Sequence, residues 1–258
     1  MTDLIAQFAP ERADLRERHR RRVPGRDPHN PWDIYLHGCE RTPDAWADAF
    51  MAAHYFQLSP RFVMTPNRAE AFALMERAGF PVVAHAWVAS AAFQAPAFDE
   101  VVVYTSEYGG HVGMDKLRCT REEAEQNWPG ALCSAFLASG AGVSYRLLKI
   151  GTVTLTIRMT SAGDWRSNVG AGRSEWHPEP LRADLGEATE TLLGPLWAVD
   201  FVTDSGGKLW TVDFNTTPGV RSMDAALAAR ALGEDGLYGP LREWFALHPL
   251  PVPTDLGA

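Results

Sequence analysis

Apolar residues in this chain fall into two patterns. From Phe98 onward, short runs rich in β-branched and aromatic residues recur: "FDEVVVYTS", "ALCSAFLA", "VSYRLLKIG", "TVTLTIRMT", "LWAVDFVTD" and "KLWTVDFNT". Such runs, bounded by glycine and small polar residues, predict strands. "KIGT" turns the third run into the fourth, and "SGG" at 205–207 makes a hairpin of the last two. Elsewhere the signals are helical. "PNRAEAFALMERA", 66–78, starts on a proline, stops at Gly79 and leads into a strand through "FPVVAHAWV". Thr120 and Glu123 form a capping box that opens a short helix. "LRADLGEATETLL" predicts another helix before the last hairpin, and two more finish the chain.

The first sixty residues read as a basic helix, the Pro-rich loop "VPGRDPHNPW", a short strand "DIYLH", and a helix with Thr42 as N-cap and Pro43 in its first turn. "SPRFVMT" adds a strand that Pro60 confines to an edge or a strand start. No internal repeat stands out. Strands grouped in hairpins with helices between them imply an α+β fold, with a small α/β segment in front.

Composition narrows the class. The 258 residues are 46% hydrophobic and 22% charged, ordinary for a globular protein with a sizeable core. The net charge of −8 argues against a general nucleic-acid binder. "RERHRRR", 16–22, is a local exception that reads as a solvated helix end, with a partner or nucleic-acid contact as the alternative. Cys39, Cys119 and Cys133 are odd in number and widely spaced, which suits a reducing compartment and offers no CxxC metal site. The N-terminal stretch lacks a basic start followed by an apolar core, and no apolar run approaches 18 residues. A cytoplasmic protein without a membrane partner is expected.

The last hairpin raises a chemical question, because it carries acids where Val and Phe should be buried. Asp213 and Asn215 are two apart, so both leave one face of their strand. Asp200 lies in the same setting on the preceding strand and reaches that face if the loop is effectively two or four residues long. Opposed or diagonal positions then bring the Cβ atoms to roughly 5–8 Å. Two carboxylates that close repel unless a cation or proton intervenes. Hard oxygen ligands of this kind suit Mg²⁺ with phosphate; a solvent-facing Asp200 and a turn-forming Asp213 are the plainer alternative. Upstream, "IRMTSAGDWRSNVGAG" places Arg158, Arg166 and Asn168 on a strand and the following loop. Guanidiniums near a metal hold polyanions, although solvated loop arginines remain open.

Together, "YRLLKIG…TIRM…GDWRSNVGAG" and "VDFVTDSGGKLWTVDFNTTPG" resemble the ATP-grasp enzymes, closest to the branch of ribosomal-protein glutamate ligases and related peptide-forming ligases. The resemblance covers roughly residues 62–222. It implies two α+β lobes clasping ATP, a small lobe at 62–139 and a large lobe at 140–258, behind a short N-terminal pre-domain at 1–61. It further implies Mg²⁺ on Asp200, Asp213 and Asn215, and an acyl phosphate made from a carboxylate and attacked by an amine. Arg158 would neutralise developing charge, with Arg166 and Asn168 positioning phosphate or carboxylate. "VVVYTSEYGGHVGMDKL" stands where a strand end precedes a glycine loop that closes over phosphates, giving Tyr104, Gly109, Gly110, His111, Gly113 and Lys116 as nucleotide contacts, and Arg68 stands near the position of a lobe lysine. "LCSAFLASG" falls where the adenine hinge belongs.

The sequence departs from the family pattern in four places. Asp213 replaces the usual Glu. Arg68 and Tyr104 stand where two lysines are expected. The hinge lacks the acid that commonly holds ribose. The N-terminal domain is short. The reading is therefore an ATP-dependent carboxylate–amine ligase acting on small-molecule or peptide substrates. The rivals are a degenerate ATP-grasp protein that binds without ligating and a nucleic-acid module built on Arg16–Arg22. Assembly into a homo-oligomer is left open.

Overall fold

The structure is a computed structural model and describes residues 67–106, 115–167, 169, 173–177, 181, 189, 192–215, 232–233 and 238–248. The N-terminal elements, the glycine loop at 107–114, most of the "LRADLGEATETLL" segment and the first of the two C-terminal helices lie outside the described residues. The chain divides into two compact units. One comprises Thr65–Leu148 and Leu155–Asp224; the other comprises Met1–Met64, Lys149–Thr154 and Ala225–Ala258.

The first unit contains two sheets. The strands are β1 (His85–Trp87), β2 (Glu100–Tyr104), β3 (Lys116–Thr120), β4 (Leu132–Ala135), β5 (Val143–Ile150), β6 (Val153–Thr160), β7 (Arg173–Trp176), β8 (Leu196–Thr203) and β9 (Leu209–Asn215). A four-stranded sheet runs β1-β4-β2-β3 and a five-stranded sheet runs β7-β6-β5-β8-β9. The pairings β1–β4, β2–β3, β2–β4, β6–β7 and β8–β9 are antiparallel. The hairpins expected at "KIGT" and "SGG" are both present as β5–β6 and β8–β9.

Helix α1 (Arg68–Arg77) starts one residue after Pro66–Asn67, because Asn67 caps it: its side chain accepts from Glu70 N at 2.9 Å, and the Glu70 carboxylate accepts from Asn67 N at 3.1 Å. Its buried side chains are Arg68, Ala71, Phe72 and Met75, spaced three and four apart on one face. The capping box at Thr120–Glu123 opens α2 (Arg121–Asn127), as its spacing predicts. "FPVVAHAWV" yields only the three-residue β1 and a parallel bridge from Val82 to Thr211. Strands β3 and β7 carry no apolar pattern that would announce them. β3, "KLRCT", is an edge strand with half-buried and exposed side chains.

Alternation on β2 divides the core of the four-stranded sheet. Val101 and Val103 pack with Phe93, Phe98, Ala124 and Cys133, while Val102 and Tyr104 pack with Phe72, Val83 and Leu132. Burial pushes the Cys133 thiol up to about 12. A third cluster joins Met75 of α1 and Phe80 to Leu147, Trp197, Val199 and Phe201 of the five-stranded sheet. Helix α1 therefore feeds both sheets from adjacent turns.

In the second unit, α3 (Tyr238–Leu247) meets the β5–β6 turn. Thr152 donates from its backbone N to Pro240 O at 3.2 Å and from Oγ1 to Glu243 Oε2 at 2.6 Å. Gly151, at φ 54°, sits where a Cβ would overlap the Pro240 carbonyl.

Phe201 is fully buried between Phe80 and Trp197, so Phe201→Ala should destabilise the protein by roughly 3–5 kcal/mol. Urea denaturation monitored by circular dichroism measures this, and a loss below about 1 kcal/mol would contradict the packing described.

Candidate functional site

The position of the acids depends on a bulge. The β8–β9 hairpin pairs Thr203 with Leu209, Val202 with Trp210 and Phe201 with Thr211, then shifts register so that Asp200 lies opposite Asp213 and Ala198 opposite Asn215. The loop between the paired ends, 204–208, is odd in length. Continued without a shift, it would set Val199, a core residue, against Asp213. Val212 is the extra residue, and a bulge of one turns every later side chain to the other face. Backbone bonds fix it there: Thr211 N donates to Pro81 O at 2.7 Å and Val83 N to Thr211 O at 3.0 Å. The loop is anchored by Asp204, whose carboxylate accepts from Gly206 N and Lys208 N at 2.9 Å each and from Trp210 Nε1 at 2.8 Å.

Opposed carboxylates need positive charge, and three cations supply it. Arg146 on β5 grips Asp200 through two bonds, Nε to Oδ1 at 2.7 Å and a terminal nitrogen to Oδ2 at 2.8 Å. Lys116 on β3 donates to Asp213 Oδ2 at 2.7 Å. Arg68 donates to Asp213 Oδ1 at 3.2 Å and, through Nε and the other terminal nitrogen, to Asp115 Oδ2 at 3.2 and 2.5 Å. Asp115 Oδ1 is buried and has no hydrogen-bond partner among the described residues. Burial alone would raise the Asp213 carboxyl, but Lys116, Arg68 and Arg146 outweigh it and hold the group below its ordinary value. Burial works to lower Lys116 as well, and Asp213 reverses that. Arg146 is raised chiefly by the charge of Asp200.

Tyr104 pairs directly with Lys116 across β2–β3. Its hydroxyl shares a hydrogen bond of 3.0 Å with Ser134 Oγ, and the Arg68 guanidinium carbon stands 4.5 Å from its ring centroid. Burial raises its pKa, against the lowering pull of Lys116 and Arg68, so at neutral pH it offers a neutral phenol.

Tyr104, Lys116, Asp200 and Asp213 open onto a cavity lined by both sheets. Val102, Phe136, Leu137, Val143, Trp165 and Val202 supply apolar surface, and Tyr104, Lys116, Arg166, Asp200 and Asp213 supply polar surface. Phe136 and Trp165 meet edge to face at 5.7 Å between centroids. A larger cavity of about 580 Å³ lies beside Trp87, Asn127 and Trp128. Its one charged lining residue is Arg68, which is already paired with Asp115 and Asp213, whereas the first cavity gathers several charged groups.

Of the residues singled out in the sequence, the structure brings Asp200, Asp213, Lys116, Arg68 and Tyr104 together, with Asn215 on their face by register. Arg166 lines the cavity and is paired with Asp164 at 2.8 Å. Gly109, Gly110, His111, Gly113 and Asn168 lie outside the described residues. Arg158 is not brought to the carboxylates. It pairs with Glu175 at 2.5 Å and takes a hydrogen bond with Tyr145, the neighbour of Arg146 on β5. Successive side chains leave opposite faces of a strand, so Arg158 is on the face turned from Asp200. Sequence reasoning passed over Arg146. The available signal was its parity: it stands inside an apolar strand run, "YRLLKI", where an unpaired guanidinium would be expensive to bury.

The donor set fits the groups that the sequence motifs imply. Two carboxylates and a carboxamide on one face are hard oxygen ligands of the number Mg²⁺ takes from protein, leaving the rest of its shell to water and phosphate. Among the described residues no cluster of three His, Cys, Asp or Glu competes with them. Lys116 and Arg166 on the apolar slot are of the charge that polyphosphate needs, and the slot itself suits a flat base. Among the described residues, no helix is long and apolar enough to cross a membrane.

No protein-family model and no curated protein matches this chain. Solved structures do. The ATP-grasp ligase PsnB, complexed with a phosphomimetic variant of a minimal precursor, Mg and ADP, superposes with a TM-score of 0.50 at 13% identity, over 78% of this chain and 66% of that one. D-cycloserine synthetase DcsG gives 0.50 at 15% identity over 94% of both chains. An L-amino acid ligase from Bacillus licheniformis gives 0.50 at 14% identity over 85% of this chain and 59% of that one. The chain thus spans about two thirds of the length of PsnB and 59% of that of the L-amino acid ligase. At these identities the likeness is one of fold, and the α+β ATP-grasp fold is the fold of this chain.

Breaking a buried ion pair from one side leaves an uncompensated charge, at roughly 3–5 kcal/mol for full burial. Arg146 and Asp200 retain 15% and 13% side-chain exposure, so Arg146→Ala should fall at or below the lower end of that range. The double variant Arg146→Ala, Asp200→Ala should recover part of the loss. A urea double-mutant cycle checks this, and strict additivity would show that the two groups are not coupled.

Proposed function

We propose that this chain is an ATP-dependent carboxylate–amine ligase that forms an amide or peptide bond through an acyl phosphate. The observation that carries the reading is the register of β8 and β9, which opposes Asp200 and Asp213 on one face with Asn215 beside them and three cations around them. The names of the similar structures support it, being an ATP-grasp ligase with Mg and ADP, a synthetase and an amino acid ligase. ATP would supply the phosphoryl group that activates the carboxylate, and Mg²⁺ the charge that screens its phosphates.

In this reading Asp200, Asp213 and Asn215 hold the metal. Lys116, Arg146 and Arg166 face the phosphates and the developing acyl phosphate. Positioning and preorganised charge carry the rate, since such a transfer leaves little covalent chemistry to the protein. Arg146 takes the charge-neutralising role that the motif alone assigned to Arg158, because it stands against Asp200 whereas Arg158 stands against Glu175. Asn168 and the glycine loop keep the roles that their motifs imply, with Asn168 positioning substrate and Gly109, Gly110, His111 and Gly113 closing over nucleotide. The apolar slot with Phe136 and Trp165 takes the base. The carboxylate and amine substrates are small molecules or peptides.

One observation favours a second reading. Tyr104 puts a neutral phenol where a lysine is expected, and a hydrogen bond from an ordinary donor contributes about 1 kcal/mol, against roughly 1.5–3 kcal/mol for one to a charged group. A chain that binds nucleotide without ligating is consistent with that loss.

ADP release across a panel of amino acids and peptides separates the two readings. Amine- and carboxylate-dependent ADP release is expected, with Asp213→Ala and Asn215→Ala abolishing it. Arg146→Ala should lower kcat by on the order of 10²-fold, the effect of losing one preorganised contact. Arg158→Ala should do much less. Turnover unchanged in both metal-site variants would defeat the assignment, as would nucleotide binding with no acceptor-dependent ADP release.

A further inference from the structure

Every oxygen of the paired carboxylates accepts at least one hydrogen bond. Both oxygens of Asp200 accept from Arg146, one oxygen of Asp213 accepts from Lys116, and the other accepts from Arg68 and from Phe214 N at 3.1 Å. Asp115, Asp200 and Asp213 are matched in number by Arg68, Lys116 and Arg146, so the cluster is neutral as it stands.

The three cations are not held alike. Arg68 is clamped, with two bonds to Asp115, its guanidinium against the Tyr104 ring and a side chain only 7% exposed. Lys116 is a compact charge on a flexible stem, attached to Asp213 by a single bond and lining the cavity. Among the described residues, the Arg146 guanidinium bonds to Asp200 alone, by two contacts.

We infer that Lys116 and Arg146 form an internal latch that closes the paired carboxylates to free divalent cation until a polyphosphate draws the two cations away. The inference rests on the metal-site reading proposed above. A divalent ion arriving alone competes with three charged hydrogen bonds for these oxygens and strands any cation it displaces. An ion arriving with polyphosphate meets carboxylates whose former partners have moved to phosphate oxygens, so no charge is left unpaired. Metal and polyphosphate are therefore coupled ligands, each raising the affinity of the other by the same factor. Arg68, fixed by Asp115, stays on Asp213 as a guide and is not part of the exchange.

The test uses Mn²⁺ as the metal probe and ADP as the polyphosphate, with free Mn²⁺ counted by electron paramagnetic resonance. Wild-type protein should bind Mn²⁺ weakly alone and tightly with ADP. Removing a latch cation should have opposite effects on the two ligands. Lys116→Gln should tighten Mn²⁺ alone by about tenfold or more and weaken ADP without metal. Arg146→Gln should act in the same direction through Asp200, which keeps the test open if one variant folds poorly by circular dichroism. Adding Asp213→Asn to Lys116→Gln should abolish the gain. Lys208→Gln removes a cation from the same hairpin that stands over Trp210, and it should change nothing.

Unchanged or weaker Mn²⁺ binding in both latch variants, or an equal gain in Lys208→Gln, would overturn the latch. If Mn²⁺ with ADP still depended on Asp213 in that case, the metal site would stand and the latch alone would fall. Mn²⁺ binding with ADP that is indifferent to Asp213→Asn would overturn both.

Discussion

Everything at this site follows from two carboxylates set opposite each other on neighbouring strands. Asp200 and Asp213 come together because one extra residue, Val212, resets the register of β9 after Thr211 is bound to the chain at Pro81 and Val83. Without that reset Asp213 would turn into the cluster of Phe80, Trp197 and Phe201, and the pair would not exist. A sheet that pairs two acids must surround them with positive charge. Arg146 comes from β5, Lys116 from β3 and Arg68 from α1, so the electrostatic need ties both sheets and the helix to one point.

The same constraint explains the departure at Tyr104. A lysine at the end of β2 would add a fourth cation to a cluster already balanced three against three. Positive charge instead stands on the directly opposed residue of β3, Lys116, and Tyr104 contributes a ring face to Arg68 and a hydroxyl to Ser134. Tyr104 is thus a buried, neutral group at its strand end, directly opposed to the charge of Lys116.

Much of this was legible in the sequence where local physics decides. The β5–β6 and β8–β9 hairpins follow from apolar runs and turn residues, and the cap at Thr120 from the carboxylate three residues on, whereas at α1 the proline signal points to Pro66 and the cap is Asn67. The acids and their cations were legible as residue types. Their arrangement was not. An odd five-residue loop points to the wrong face, and only a bulge set by tertiary bonds corrects it. Arg158 was singled out and Arg146 passed over, although both are arginines in apolar strands; their partners, Glu175 for one and Asp200 for the other, separate them by face, and no single-strand pattern contains that pairing. Strand β3 escaped notice because Leu117, Arg118 and Thr120 are exposed at a sheet edge, where pairing with β2 supplies what composition does not.

The central claim is that these carboxylates serve a metal and these cations serve phosphate, held together until both ligands arrive. Crystals grown with Mn²⁺ and ADP, and an anomalous difference map at the manganese edge, test it most directly. The account predicts a manganese peak between Asp200 and Asp213, with Lys116 and Arg146 withdrawn from the carboxylates and facing the diphosphate. A map with nucleotide bound, the three ion pairs intact and the manganese elsewhere would contradict it.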